Sequence, residues 1–134
     1  MTTTINASTS TGLVNTADTS GIIKLQSNGV TTNALAWVNF GYVSSAITIR
    51  ANYNISSVTR NGTGDYTINF TSALSDANYS FMASGNRDTA SYGFVITAPY
   101  SSSPTTSSIR MACVSGSSGT FVDYTYAYVA VFGN

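Results

Sequence analysis

Apolar and polar residues alternate in short runs along most of this chain, a pattern typical of β-strands. From Gly21 onward the runs are separated by Gly, Asn, Ser or Pro, and no window shows the 3.6-residue period of an amphipathic helix. The runs are rich in β-branched and aromatic residues, which favour strands. We therefore predict almost no helix and nine strands, at residues 21–27, 35–41, 46–52, 54–60, 65–71, 78–84, 91–98, 108–114 and 120–132.

The clearest local prediction is a β-hairpin over residues 54–71. Its centre, NGTGD at 61–65, consists of residues that tolerate a positive φ or favour turns. Beyond the turn two sets of side chains alternate, with Tyr66, Ile68 and Phe70 apolar or aromatic and Thr67 and Asn69 polar. This alternation predicts a sheet with one buried side.

The run 120–132 differs because apolar or aromatic residues occupy both of its alternating faces. One face contains Tyr124, Tyr126 and Tyr128. Two interpretations remain open: a central strand of a β-sandwich, or a strand with one face against a neighbouring subunit. We take the three tyrosines as the candidate subunit interface.

These patterns predict an all-β fold, an antiparallel β-sandwich of jelly-roll type, over residues 35–134. A chain of 134 residues with 43% hydrophobic content can bury one core of ordinary size. Residues 1–20 are almost entirely Thr, Ser, Asn, Ala and Gly, with too little apolar surface to offset the entropy of ordering them alone. We therefore expect residues 1–34 to form an extended N-terminal attachment segment.

Charge and cysteine content exclude several classes of partner and site. Only 7% of residues are charged and the formal net charge is zero, which argues against nucleic acid and weakly favours oligomerisation. The single cysteine, Cys113, cannot form an intrachain disulfide. Its neighbours Met111 and Val114 predict a buried thiol, and no His is present to activate it.

The acidic residues do not suggest an active site. The chain has no Glu, and its five Asp residues include one in the leader, Asp18, and one in a predicted turn, Asp65. With no His and no second Cys, we predict no metal, no cofactor and no enzymatic activity. The N-terminus lacks the basic and apolar regions of a secretory signal, and no apolar stretch approaches the roughly 20 residues that span a bilayer.

Aromatic residues near strand ends are the more plausible binding groups, because a ring beside amides and hydroxyls can stack on a sugar. Trp37 has apolar neighbours, which favour a core position, whereas Tyr42 lies close to a predicted strand end. We expect the loops 85–91, 99–107 and 115–120 to lie together at one end of the domain as a receptor face. The candidate receptor residues in or beside these loops are Asn86, Arg87, Asp88, Tyr92 and Tyr100.

Several strings resemble a module found in tail-fibre and other virion proteins of tailed phages, many of them marine or cyanobacterial. They are AWVNF at 36–40, ITIRANYNISSV at 47–58, NGTGDYTINF at 61–70 and DANY at 76–79. With parts of the leader they cover roughly half of the chain. The chain departs from the family pattern at Arg60, where the family has an acid, and this change weakens any calcium site near the turn.

The resemblance implies a virion structural protein that is assembled in the host cytoplasm. The first expectation is a homotrimeric short tail fibre or fibre-tip protein, bound to other virion proteins through residues 1–34 and contacting the host surface, including a possible glycan, through residues 35–134. One alternative is a head decoration, cement or spike protein that stabilises the capsid. Another is a lectin-like carbohydrate-binding module. No membrane insertion is expected.

Overall fold

A computed structural model describes residues 26–27, 30–31, 33–87, 94–97 and 102–133, and within these ranges it contains strands and no helix. Two short strands, β1 (Gln26–Ser27) and β2 (Val30–Thr31), pair with each other. The remaining strands are β3 (Ala36–Val43), β4 (Ala46–Tyr53), β5 (Ile55–Gly62), β6 (Asp65–Phe70), β7 (Ser80–Asn86), β8 (Phe94–Thr97), β9 (Ser108–Ser115) and β10 (Tyr126–Phe132). The all-β prediction is confirmed for this part of the chain. Most of the predicted strand at 21–27 lies outside it.

Eight of these strands form two four-stranded antiparallel sheets. The first sheet has the order β4-β3-β10-β7, and the second has the order β5-β6-β9-β8. The number of strands is that of a jelly roll, but the strand order is not. Three pairs of successive strands, β3–β4, β5–β6 and β8–β9, remain in one sheet as neighbours, so the molecule is sandwich-like without the expected jelly-roll connections.

Two tight hairpins of the four-stranded sheets use different turn chemistry. The predicted hairpin is confirmed, with β5 and β6 joined at Thr63–Gly64 and Gly64 at a φ of 67° that suits glycine. Between β3 and β4 the turn residues are Ser44 and Ser45, at φ values of 51° and 65°. Positive φ at both central positions matches the right-handed twist of the flanking strands, so this turn keeps the tight geometry without glycine.

The core lies between the two sheets and takes alternate residues from each strand. On β6 the predicted alternation is confirmed, since Tyr66, Ile68 and Phe70 are buried. Phe40 of the first sheet meets Tyr66 of the second edge to face, with ring centroids 5.2 Å apart. Each fully buried side chain of this size stabilises the fold by roughly 1.5–3 kcal/mol relative to an exposed one, so this layer supplies the main force that holds the sheets together.

The predicted strand 120–132 is in fact two pieces, a crossing segment over residues 121–125 and strand β10. Near its start Val122 donates a backbone hydrogen bond to Cys113 of the second sheet, at 3.0 Å. Near its end the carbonyl of Tyr124 accepts one from Tyr42 of the first sheet, at 2.9 Å. The segment therefore passes from one sheet to the other, which changes the face on which alternate side chains lie.

Tyr124 lies inside the core as a result of this crossing. Its ring is 1% exposed, and its hydroxyl donates a hydrogen bond to the carbonyl of Val114 at 2.9 Å. Tyr126 and Tyr128, which begin the regular strand, are 36% and 42% exposed. The prediction that all three tyrosines share one outward face is therefore wrong for Tyr124.

Asp123 fixes the crossing segment to the β5–β6 hairpin through four hydrogen bonds, a group that we call the Asp123 network. Arg60 donates two of them, from Nε to Oδ1 at 3.0 Å and from Nη2 to Oδ2 at 2.8 Å. The Gly64 amide and the Tyr66 hydroxyl also donate to Oδ1, at 2.9 and 2.6 Å. Burial by itself raises the pKa of Asp123, but these hydrogen bonds outweigh it and hold the pKa below its ordinary value.

Cys113 is fully buried on β9, as its neighbours Met111 and Val114 predict, and its thiol is free. Burial raises the pKa of its thiol to about 12, and the nearby Asp123 carboxylate adds to this effect. At neutral pH the thiol is protonated, so Cys113 serves as a small apolar core residue.

Candidate functional site

The outer face of the first sheet is apolar, although it is not part of the core. Its exposed large side chains, each between 36% and 69% exposed, are Trp37, Tyr53, Met82, Tyr126, Tyr128 and Phe132. We call this surface the aromatic face. Along β10 the inward residues Ala127, Val129 and Val131 are buried while Tyr126, Tyr128 and Phe132 point outward, which explains why both alternating faces of this run are apolar.

Cross-strand pairing arranges the aromatic face in rows, because residues paired across neighbouring strands project on the same side of a sheet. One row runs from Tyr53 through Trp37 and Ala130 to Met82, crossing all four strands. The next row runs from Ala51 through Asn39 and Tyr128 to Ser84. The only small residue at a central position of the first row is Ala130.

A groove lies over Ala130, enclosed by the large side chains around it. Its volume is about 480 Å³ and it opens to the surface. Trp37 and Met82 flank Ala130 on the neighbouring strands, and Tyr128 and Phe132 lie two residues away on β10. We call this groove the socket. Its size lies within the range of small-molecule binding sites, and its lining is mainly apolar.

Asn39 lines the same socket and contains an unusual polar atom. Its side-chain oxygen, Oδ1, is buried and has no hydrogen-bond partner, and it is the only such side-chain atom among the residues that the structure describes. Buried acceptors without a partner are rare in native proteins. The socket therefore combines an apolar wall with one acceptor that the rest of the chain does not satisfy.

Arg50 borders the aromatic face where β4 contains a bulge. Its guanidinium lies over the ring of Tyr126, 4.2 Å from the centroid, and donates a hydrogen bond to the carbonyl of Thr125 at 2.8 Å. A cation over an aromatic ring contributes roughly 0.5–1 kcal/mol at an exposed site. Tyr126 is therefore held in place by its own chain.

The outer face of the second sheet has the opposite chemistry. Asn69 donates from Nδ2 to the Ser57 hydroxyl at 3.0 Å, and Asn61 donates from Nδ2 to the Thr67 hydroxyl at 2.9 Å. These side chains satisfy one another across β5 and β6 and remain open to water. The outer face of the second sheet is therefore polar, with side-chain amides that have hydrogen-bond partners. The aromatic face is apolar and contains an acceptor without one.

The sequence-predicted aromatic sites are only partly brought together. Trp37 is 39% exposed on the aromatic face, so the prediction of a core position is wrong. Its apolar neighbours Ala36 and Val38 face the core instead. Tyr42 packs against the core at the other end of β3, beneath the guanidinium of Arg60 at 4.4 Å.

The candidate receptor residues are described only in part. Asn86 ends β7 and pairs with Tyr126 at one corner of the aromatic face, and Arg87 follows it. Asp88, Tyr92 and Tyr100 lie outside the residues that the structure describes. Residues 102–107 and 116–120 lie at opposite ends of β9, roughly 23 Å apart at about 3.3 Å per residue, so the three predicted loops do not share one end.

Sequence reasoning missed Tyr53, Met82, Phe132 and Asn39 as surface residues of one site. A signal for Met82 is present, since Phe81 and Ala83 alternate with it along β7. The position of Tyr53 depends on the register of β4, which shifts at a bulge beside Asn39 and Phe40. A bulge changes which side chains project outward. No residue in this stretch of the sequence indicates that a bulge is present.

The described ranges contain no group of three or more His, Cys, Asp or Glu residues that could hold a metal ion. In the same ranges there is no helix that is long and apolar enough to cross a membrane. Comparison with known protein families, curated proteins and solved structures finds no significant match to this chain.

Proposed function

We propose that this protein is a structural and attachment subunit of a tailed-phage particle, a short tail fibre or fibre tip that assembles as a homotrimer through its aromatic face. The resemblance to virion proteins supports the class of protein, and the aromatic face supports the mode of assembly. The strings that carry the resemblance include the central strand β3 and the β5–β6 hairpin. They therefore belong to the framework that positions the aromatic face.

The single observation that carries the proposal is the extent of exposed apolar surface on one sheet. Five aromatic side chains that are each about 40% exposed, together with Met82, leave on the order of 400–600 Å² uncovered. This area falls within the range of the largest apolar patch of a typical monomer, which is often a functional surface. It is about half to three quarters of the roughly 800 Å² that each partner contributes to a standard interface.

The charge of the chain is compatible with self-association. With a net charge of zero and only 7% charged residues, copies of the chain do not repel one another strongly. A partner that recognises charge would find few groups to bind on the aromatic face. A second copy of the same face offers the matching apolar surface, so we prefer it to a charged partner.

Two of the aspartates in the described ranges, Asp65 and Asp123, are used in ion pairs, which supports a non-enzymatic role. Asp65 accepts hydrogen bonds from Arg110, and these hold the pKa of Asp65 below its ordinary value despite the opposing effect of burial. Asp123 is bound by Arg60 in the same way. A carboxylate with a low pKa is a weak general base.

Attachment through residues 1–34 is part of the proposal. The chain joins the first sheet beside the aromatic face, since the Leu35 amide donates to the carbonyl of Val131 at 2.8 Å. We expect a chain without residues 1–20 to keep the unfolding transition of the full chain and to be missing from purified phage particles, as detected by mass spectrometry. Unfolding of the shortened chain would contradict the proposed boundary, and its normal incorporation would contradict the attachment role.

Light scattering of the purified full chain tests the assembly. We expect a mass of about 42 kDa, three copies of a 14.0 kDa chain. Replacing both Trp37 and Tyr128 with Ser removes two rings from the aromatic face and should give the monomer mass without unfolding. Thr59→Ala on the outer face of the second sheet is the control and should remain trimeric. A wild-type monomer at micromolar concentration would contradict the proposal.

A further inference from the structure

We propose that the socket over Ala130 receives the side chain of Tyr53 from a second copy of the chain, and that Asn39 accepts the hydrogen bond of its hydroxyl. This inference rests on the proposed self-assembly and adds the contact that directs it. The socket provides an apolar space and one acceptor without a partner. A tyrosine side chain supplies both an apolar ring and one donor.

The shape of the socket explains why one side chain fits it. Ala130 leaves a depression between two large neighbours, Trp37 and Met82, which pair with it directly on β3 and β7. Met82 is 69% exposed, the most exposed large apolar residue of the described chain. A ring placed over Ala130 would cover its methyl group and bury parts of both neighbours, so insertion removes more apolar surface from water than flat contact does.

The buried oxygen of Asn39 identifies the kind of group that is missing. Oδ1 is already shielded from water in the single chain, and a purely apolar side chain in the socket would leave it without a partner. A group with an O–H or N–H supplies the missing hydrogen bond on binding. A donor next to an apolar body therefore gains more than an apolar body alone, which favours Tyr over Phe, Leu and Met.

Among the tyrosines of the aromatic face, Tyr53 is best placed to reach another copy. Tyr128 already forms a wall of the socket, and Tyr126 is held beneath Arg50. Tyr53 is 43% exposed at the end of β4, which is an edge strand of the first sheet. A side chain at the edge can project beyond its own sheet onto the face of a neighbour.

Tyr53 pairs directly with Trp37, a wall of the socket, so the inserted side chain and the socket belong to one face. The contact is compatible with a twofold pair, in which Tyr53 of each copy enters the socket of the other, and with a closed ring of three copies. The mass of the assembly distinguishes the two arrangements.

A double-mutant cycle on the full chain tests this contact, with Tyr53→Phe, Asn39→Leu and the double variant measured by sedimentation equilibrium. A ring of three copies contains this contact three times, so each single change should raise the trimer dissociation constant about tenfold per lost hydrogen bond, or roughly a thousandfold overall. The double variant should be no weaker than either single variant, because the same bond is removed. Additive effects, or no effect, in a trimeric protein would overturn the inference and leave the proposed function intact.

Further variants separate this role from a structural one. Asn39→Leu should leave the unfolding of the dissociated chain unchanged or shifted to higher denaturant, since it removes an acceptor without a partner. Ala130→Leu fills the socket and should weaken association at least tenfold. Thr59→Leu adds the same apolar group to the second sheet and should have no effect. Loss of association in Thr59→Leu as well would overturn the inference.

Two outcomes concern the wild-type chain. If it is monomeric, the proposed assembly fails together with the socket contact. If a monomeric chain instead binds oligosaccharides in an array and Ala130→Leu abolishes that binding, the socket holds a sugar, and the inference of a second copy is wrong.

Discussion

The Asp123 network and the aromatic face differ in how far the chain satisfies its own groups. Asp123 accepts four hydrogen bonds from residues of the same chain, whereas Asn39 Oδ1 on the aromatic face accepts none. The first region is complete within one copy and contributes to folding. The second contains an acceptor that its own chain leaves without a partner, and in the assembly we propose another copy covers it, so substitutions there should affect association more than folding.

The largest expected effect on folding comes from removing the carboxylate of Asp123. Asp123→Ala leaves Tyr66 and Gly64 without their acceptor and should lower the free energy of unfolding by about 2–4 kcal/mol. Urea unfolding of the dissociated chain measures this loss. Asp76→Ala is the control, because Asp76 accepts a local hydrogen bond from the Asn78 amide at an exposed position. Equal losses of unfolding free energy in the two variants would show that the Asp123 network contributes no more to folding than one exposed local hydrogen bond.

Acid should weaken the Asp123 network before it affects the aromatic face. The pKa of Asp123 is lower in the folded chain than in the unfolded chain, so its contribution is present above the unfolded pKa of about 4 and is lost as the pH falls through the folded pKa. Asp65 acts in the same direction. Thermal unfolding between pH 6 and pH 2 should show this loss, and Asp123→Ala should show a smaller one.

The smallest expected effects come from removing one tyrosine hydroxyl in each of the two regions. Tyr66→Phe removes the donor to Asp123 while keeping the buried ring, and should cost about 1 kcal/mol in the free energy of unfolding. Tyr128→Phe removes a hydroxyl from the aromatic face and should leave that free energy unchanged within about 0.5 kcal/mol. Urea denaturation of both variants provides the test. A larger loss in Tyr128→Phe would show that the aromatic face contributes to folding.

Much of the fold could be predicted from the sequence because most strands alternate regularly between two turns. The β5–β6 hairpin and the buried side of β6 follow from local pattern alone. The crossing segment could not be separated from β10, since alternation does not show where a chain leaves one sheet for another. The prediction for Tyr124 is therefore wrong, because its hydroxyl bonds to Val114 on β9 of the second sheet.

The candidate site was harder to predict because it depends on which face of a sheet remains uncovered. Trp37 and Tyr128 have the composition of core residues and are identified as surface residues only by pairing and burial. The lack of a hydrogen-bond partner for Asn39 Oδ1 is a result of three-dimensional packing. In the sequence, Asn39 is indistinguishable from an ordinary surface Asn. The resemblance bears on the proposed class of protein and does not indicate the socket.

The position of β10 has a consequence for folding during synthesis. This strand lies between β3 and β7, although it follows the nearer of them, β7, by about 40 residues in the chain. A ribosome that has released β3 to β9 has therefore exposed two unpaired strand edges that only β10 can join. Non-local pairing of this kind is slow, on the order of milliseconds to seconds. During that interval the unpaired edges and the exposed aromatic residues of different copies can associate. We therefore expect a chaperone that binds the nascent chain to reduce its aggregation.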